Sequence, residues 1–421
     1  MNRRFAQLTT AAALMIGVLI LGAPDASAYS VLAHEANIDA LWDSGIRPLL
    51  VRRYPRTTRD ELLTARGFAY GGSVIQDLGY YPFGSRFFSN LLHYVRSGDF
   101  VAAMIRDAHD VNEYAFALGT LAHYTADNTG HPEAVNRSVP LLFPKLRAKY
   151  GDRITYAESP SSHIITEFSF DIVQVAGGGY APEAYHSFIG FQVAKPVLER
   201  AFKETYGLDV TAALPKEDLA LSSYRHAISE LIPAITRAAW KEKKDEIAKL
   251  TPAVKEDRFV YRYSRSEYEK EFGTDYQKPS LFARFLAIVY RLLPKIGPLR
   301  PLSFKAPTPE AERLFTESLK STRARYAQAL AEVTPRGAFA LPNTDFDTGQ
   351  PSGYGEYSLA DDTYRELLSR LADQHFGDVS SALRANINRY YATLGAQPAS
   401  SRKARKRIEK IKRQLAALDA H

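Results

Sequence analysis

One stretch constrains this chain more than any other: Leu118-Gly-Thr-Leu-Ala-His123-Tyr-Thr-Ala-Asp127-Asn-Thr-Gly-His131-Pro132. It is apolar with a helical period, and it ends in two histidines and an aspartate spaced His-x3-Asp-x3-His. On an α-helix, residues i and i+4 point the same way, so His123 and Asp127 project side by side. Gly130 and Pro132 bracket His131, and a residue before proline avoids the helical region. His131 is therefore expected just past the helix end, on the same wall and free to face a second metal. Imidazole nitrogen and carboxylate oxygen are the donor types of a zinc site. The plainer reading is a helix end decorated with polar groups, since three-ligand spacings also arise by accident.

Other segments offer the same donor types. Asp77 closes the apolar stretch Phe68-Ala-Tyr-Gly-Gly-Ser-Val-Ile-Gln-Asp77 and precedes an aromatic, Gly/Pro-rich loop; His93 follows in Phe87-Phe-Ser-Asn-Leu-Leu-His93-Tyr94. Taken singly, Asp77 reads as a turn carboxylate and His93 as a core histidine. In Ser161-Ser162-His163-Ile-Ile-Thr-Glu167 the serines are good N-cap residues, and His163 and Glu167 again share one helix face. Asp171 continues that face behind them. Residues 99–131 are helical by period, and Asp107, His109, Asp110 and Glu113 read as a solvated face. Gly177-Gly178-Gly179 lacks the Gly-Lys-Ser/Thr ending of a phosphate loop and reads as a turn.

The N-terminus reads as a targeting segment. Arg3 and Arg4 provide a positive start, an apolar run too short to span a bilayer follows, and Ala26-Ser27-Ala28 fits a small-residue cleavage site. The mature chain is then expected to begin Tyr29-Ser-Val-Leu-Ala-His34, in a secreted or periplasmic protein. A free amino group and its own carbonyl can chelate a metal, and His34 is close enough in sequence to join them. The chain has no cysteine, which excludes disulfides and a lipidated N-terminal cysteine. Net charge is +7, a mild excess that suits an anionic surface without choosing between nucleic acid and acidic lipid.

Taken in order, an N-terminal aromatic with a nearby histidine, then Asp77, His93, His123-x3-Asp127, His131 and His163-x3-Glu167, resemble the zinc-dependent phospholipase C and S1/P1 nuclease superfamily. The resemblance runs from Tyr29 to about residue 200 and implies an all-α, multi-helix fold with a mainly helical C-terminal extension. It implies about three zinc ions. One would be held by Asp77, His93, His123 and Asp127; a second by His131, His163 and Glu167. The third would be held by the Tyr29 amino and carbonyl groups, His34 and Asp127, which bridges. Two departures stand out: tyrosine replaces the usual first tryptophan, and the gap between Asp127 and His131 is shorter than the five intervening residues of the best-known members.

Zinc lowers the pKa of a bound water towards ~7 and neutralises phosphate oxygens, the services that phosphodiester hydrolysis needs. Asp77 is the candidate to accept the nucleophile's proton. Tyr80, Tyr81, Phe83, Phe87 and Tyr94 lie among the ligands. They can cage a choline headgroup, stack a base, or simply fill the core.

The chain is thus expected to comprise a signal peptide (1–28), a catalytic domain (29–250) and a helical C-terminal region (251–421). In the last, 280–293 is an amphipathic helix able to lie on a membrane or pack on the core, and a proline-rich linker follows. Asn343-x-Asp345-x-Asp347 has the opening of a calcium loop, but its glycine falls one place late and position 12 is Tyr354. No zinc pattern is read in this half. A basic terminal helix begins at Arg402 and can touch acidic lipid, touch nucleic acid, or stand as a solvated tail.

The function expected is a phospholipase C acting on a phospholipid or related phosphodiester, with peripheral membrane contact. A single-strand nuclease is the alternative, and it alone brings nucleic acid as partner. A zinc-binding surface protein without turnover is a third reading.

Overall fold

A computed structural model describes residues 30–177, 191–226, 245, 305–334, 339–395 and 401–421. Tyr29, the leader, residues 178–179 of the glycine run, the helix at 280–293 and most of the proline-rich linker lie outside the described residues. The expectation of an all-α fold holds. Among the described residues the regular structure is helical, and one isolated bridge joins Asp345 and Gln350.

The principal helices are α1 (Val31–Leu41), α2 (Arg59–Val74), α3 (Arg86–Tyr94), α4 (Ser97–Arg106), α5 (Val111–Gly130), α6 (Pro160–Gly177), α7 (Lys195–Tyr206), α8 (Pro309–Glu332), α9 (Ser358–Asp373) and α10 (Arg402–Ala420). Several begin on side-chain caps. Thr58 and Glu61 form a reciprocal capping box at α2, and the Asp110 carboxylate accepts the amides of Asn112 and Glu113 at 2.9 and 2.8 Å. Thr308 caps α8, which carries Pro309 in its first turn, and Ser401 caps α10.

α5 is the axis of the fold, buried without a break from Glu113 to Asp127. A helix apolar all round must be enclosed by neighbours, and α2, α4 and α8 pack along it. The tightest crossing is with α2. A Cβ on Gly72 would lie 1.9 Å from the Phe116 carbonyl oxygen, and one on Gly119 would lie 2.1 Å from that of Ala69. Two facing glycines let the backbones meet.

The second half of the chain packs into the same core. The Tyr326 hydroxyl of α8 donates to the Leu118 carbonyl of α5 at 2.9 Å, and Phe315 stacks on Phe170 of α6 with ring centroids 4.5 Å apart. α10 turns Ile411 and Leu418 inward, packing against α9, and leaves its lysines and arginines in solvent.

Four local expectations need correction. The segment expected to be one helix over 99–131 is two, α4 and α5, broken where Asp110 leaves helical geometry to cap α5. Glu113 is not on a solvated face: it is buried, bonded to the Arg200 guanidinium and accepting the His109 amide at 2.8 Å. Ser161 and Ser162 lie inside the first turn of α6, and it is the Ser159 carbonyl that accepts the amides of Ser162 and His163. Finally, His131 stays in the helical region before Pro132, because α5 runs on into one π-helical turn, His131–Val135. A π turn widens the ladder and displaces the carbonyl that a proline ring would otherwise strike.

Candidate metal centre

His34 comes from α1 and Asp77 from the 3-10 turn Ile75–Tyr80 that ends α2. His93 comes from α3, and His123 and Asp127 from adjacent turns of α5. His131 opens the π turn, and His163 and Glu167 share one face of α6. None of these eight residues is more than 3% exposed.

They gather in two groups, Asp77/His93/His123/Asp127 and His131/His163/Glu167, each with donor atoms within 4.8 Å of one another. In the first, Asp127 lies 3.1 Å from His123 Nε2 and 3.3 Å from His93 Nε2, and Asp77 lies 3.4 Å from His93 Nε2. His34 sits beside this group. Its Nε2 lies 3.5 Å from Asp127 and 4.0 Å from Asp77, and its ring stacks on His123 at 4.3 Å. In the second group His163 Nδ1 faces Glu167 at 3.5 Å. Asp127 and His131 stand one turn apart, so the groups share a wall.

The outer nitrogens fix the rings. His93 Nδ1 donates to the Ser89 carbonyl at 2.8 Å, and His123 Nδ1 to that of Ser73 at 2.9 Å. His163 Nε2 donates to that of Ile154 at 2.6 Å. A carbonyl can only accept, so each outer nitrogen carries a proton, and in the neutral ring each inner nitrogen presents a lone pair. The Ser73 bond depends on the glycine crossing, which brings α2 against α5 one residue from Gly72.

The inner atoms have the opposite character. Asp77 Oδ1, His93 Nε2, His123 Nε2, both Asp127 oxygens, His163 Nδ1 and Glu167 Oε1 are buried without a hydrogen-bond partner among the described residues. Zinc bonds of ~2.0–2.2 Å in a tetrahedron place neighbouring donors ~3.3–3.6 Å apart, close to the spacings found here. Converging lone pairs at that distance repel unless a cation lies between them, so the donor set fits zinc.

Titration without metal reflects the same crowding. Burial pushes His34 down to about 4, with His123 adding to it, and His131 to about 4. Burial and the neighbouring His131 push His163 to about 3. Burial, then Asp127, raises Glu167 well above the ordinary carboxylate range. His93 goes the other way: burial opposes its proton, but the adjacent Asp127 and Asp77 carboxylates override it and, without metal, lift the ring to about 10.

The C-terminal half, read as carrying no zinc pattern, enters this site. Phe346 packs against the rings of His93, His123 and Tyr124 with centroids 5.1, 6.0 and 5.5 Å away, and its amide donates to the His93 carbonyl at 3.2 Å. Asp347 lies 3.3 Å from His131 Nε2. The calcium-loop pattern dissolves, because its three side chains go to separate tasks. Asn343 accepts the Asp99 amide, Asp345 accepts the amides of Asp347 and Thr348, and Asp347 turns to the histidines. The available signal was two carboxylates flanking an aromatic between Pro342 and Gly349.

Of the aromatics near the ligands, Tyr80, Phe87 and Tyr94 are buried. Tyr80 stands edge-on to His93 at 5.5 Å and Tyr156 edge-on to His163 at 5.9 Å, with 6.3 Å between the two tyrosines. Tyr81 stacks on Tyr224 at 3.9 Å. Asp171 turns away from the groups and holds α1, accepting the Leu32 and Ala33 amides at 3.0 and 3.1 Å.

Comparison with known proteins adds one finding. Residues 44–213 match the family model described as zinc dependent phospholipase C. The searches of curated proteins and of solved structures found no match. The matched span includes Asp77, His93, His123, Asp127, His131, His163 and Glu167, and stops short of His34 on one side and Asp347 on the other. Residues 44–213 thus carry the pattern of a zinc-dependent phospholipase C, and that match makes the chain a phosphodiesterase hydrolase.

Proposed function

We propose that this chain acts outside the cytoplasm as a phospholipase C, releasing a phosphorylated headgroup from a phospholipid. The observation that carries the reading is the pair of buried donor groups sharing the Asp127–His131 wall, flanked by the tyrosines Tyr80 and Tyr156. Asp77, His93, His123 and Asp127 would hold one zinc, and His131, His163 and Glu167 a second. His34 and Asp127, with the amino and carbonyl groups of a Tyr29 freed by cleavage after Ala28, would hold a third. Bound zinc supplies an acidified water and positive charge for the phosphoryl oxygens.

The chain's own groups supply the rest. The Ser73, Ser89 and Ile154 carbonyls fix the orientation of the three rings. Asp77, which faces His34 and His93, would take a proton from the attacking water. No Lys or Arg occurs over 71–81 or 118–132. Ligand segments that carry aromatics and no cation suit a zwitterionic headgroup, since a polyanionic strand calls for cations beside the metals. The solvent-facing lysines and arginines of α10 suit contact with an anionic membrane surface.

The test is turnover of phosphatidylcholine micelles against single-stranded DNA, with and without chelator. Chelator-sensitive release of phosphocholine supports the proposal. Cleavage of DNA with the lipid untouched transfers the assignment to a nuclease, and zinc binding without turnover of either substrate points to a non-catalytic role.

A further inference from the structure

We infer that Asp347, from the C-terminal half and outside the matched family segment, is a fourth protein ligand of the metal site formed by His131, His163 and Glu167. The inference rests on the zinc reading above and extends it to a residue that reading does not use.

A three-donor group leaves a tetrahedral ion one position short. Asp347 Oδ1 stands 3.3 Å from His131 Nε2, the separation expected of two donors on one zinc. The two atoms are close enough for a hydrogen bond and do not form one, and His131 differs from His93, His123 and His163 in having neither ring nitrogen bonded among the described residues. A buried ring with neither nitrogen hydrogen-bonded, facing a carboxylate without bonding to it, has the arrangement of two ligands awaiting a shared ion.

The other oxygen of Asp347 is fully engaged. Oδ2 accepts from the Tyr94 hydroxyl at 2.9 Å and from the Tyr357 hydroxyl. Two phenols on one oxygen hold the carboxylate plane and leave Oδ1 pointing at His131, the role that outer partners play for a metal ligand. The backbone is equally fixed. The Asp347 carbonyl accepts Asn136 Nδ2 at 2.7 Å, its amide donates to Asp345 Oδ1 at 2.9 Å, and Phe346 is pinned to His93. Asp347 itself is 1% exposed. A buried carboxylate positioned this closely adds a fourth acidic group to the space that holds Asp77, Asp127 and Glu167, and a divalent cation is the partner that balances them when ionised.

The experiment compares full-length wild type with Asp347→Asn and Asp347→Ala. It reads zinc affinity and stoichiometry by titration of the zinc-free protein, and the visible absorption of the cobalt-loaded protein. Melting of the zinc-free Asp347→Asn protein checks the fold, since the amide keeps the size and the hydrogen-bonding oxygen. The expected result is a fall in affinity of at least ~10-fold for one equivalent of zinc in both variants, the others unchanged, with an altered cobalt band. Wild-type affinity and an unchanged cobalt spectrum overturn the inference. Weaker binding with an unchanged cobalt band also overturns it, because Asp347 would then only position His131. A wild type that binds no zinc removes the zinc reading itself, an outcome visible before any variant is made.

Discussion

The Asp171 carboxylate accepts the backbone amide of Leu32 at 3.0 Å across 139 residues of sequence, and that of Ala33 beside it. These amides belong to the first turn of α1, where Ser30 makes no side-chain cap. The helix carrying Glu167 thereby fastens the helix carrying His34.

Asp171→Ala should therefore loosen α1 from the site. Bonds to a charged acceptor contribute ~1.5–3 kcal/mol, and their loss should appear as that much lower unfolding free energy in denaturant. Metal held through His34 should weaken in parallel. An unchanged denaturation midpoint would show that other contacts fix α1.

Zinc should be a structural as well as a chemical component. Dialysed mature protein is expected to contain about three zinc ions, and chelation should lower its melting temperature, because metal binding energy is folding energy. His123→Ala should lose metal and stability together. Metal analysis returning less than one equivalent would refute the assignment.

The zinc-free protein should weaken on acidification. His34 and His131 titrate near 4 and His163 near 3, whereas in the unfolded chain they take a proton near 6.5. Between those values the unfolded state binds protons that the folded state refuses, so stability falls as pH drops from about 6.5 towards 4. His93 has the opposite sign. Raised to about 10, it contributes fully below 6.5, and the contribution disappears as pH rises through 10. Stability should peak near neutrality, and a denaturant midpoint that stays level from pH 7 to 4.5 would contradict this account.

Gly72→Ala should be costly even though alanine is the better helix former. Its methyl group would meet the Phe116 carbonyl at 1.9 Å, so α2 and α5 must separate. Overpacking of this kind costs ~1–3 kcal/mol, and the separation also draws the Ser73 carbonyl away from His123. The expected readouts are a lower melting temperature and weaker zinc binding. Tolerance of both would show that the crossing can relax.

The mature N-terminus should matter chemically. If Tyr29 chelates through its amino group, one residue retained before it replaces the amine with a poorly coordinating amide. Activity and one zinc equivalent should fall while the far-UV spectrum is kept. Equal zinc content and equal turnover in the extended and native-start proteins would exclude the amine as ligand.

What the sequence determined was what has a short period. The i, i+4 pairs His123/Asp127 and His163/Glu167 needed only helical geometry to be placed on single faces, and the helical period over 99–131 marked the segment that holds α4 and α5, without the break between them. The order of donors along the chain was enough to suggest the family. The tertiary structure alone decided what depends on long-range closure. That Asp171 faces α1 instead of the donors, that Glu113 is buried against Arg200, and that Gly72 and Gly119 meet are facts about partners far apart in sequence. Asp347 is the clearest case: it lies in a loop whose local pattern resembles a failed calcium site, and nothing in that pattern reports that Phe346 will dock on His93. Short-range sterics and hydrogen bonding write periodicity into a sequence. The pairing of remote segments is set by the packing of a whole core, where each contact depends on all the others.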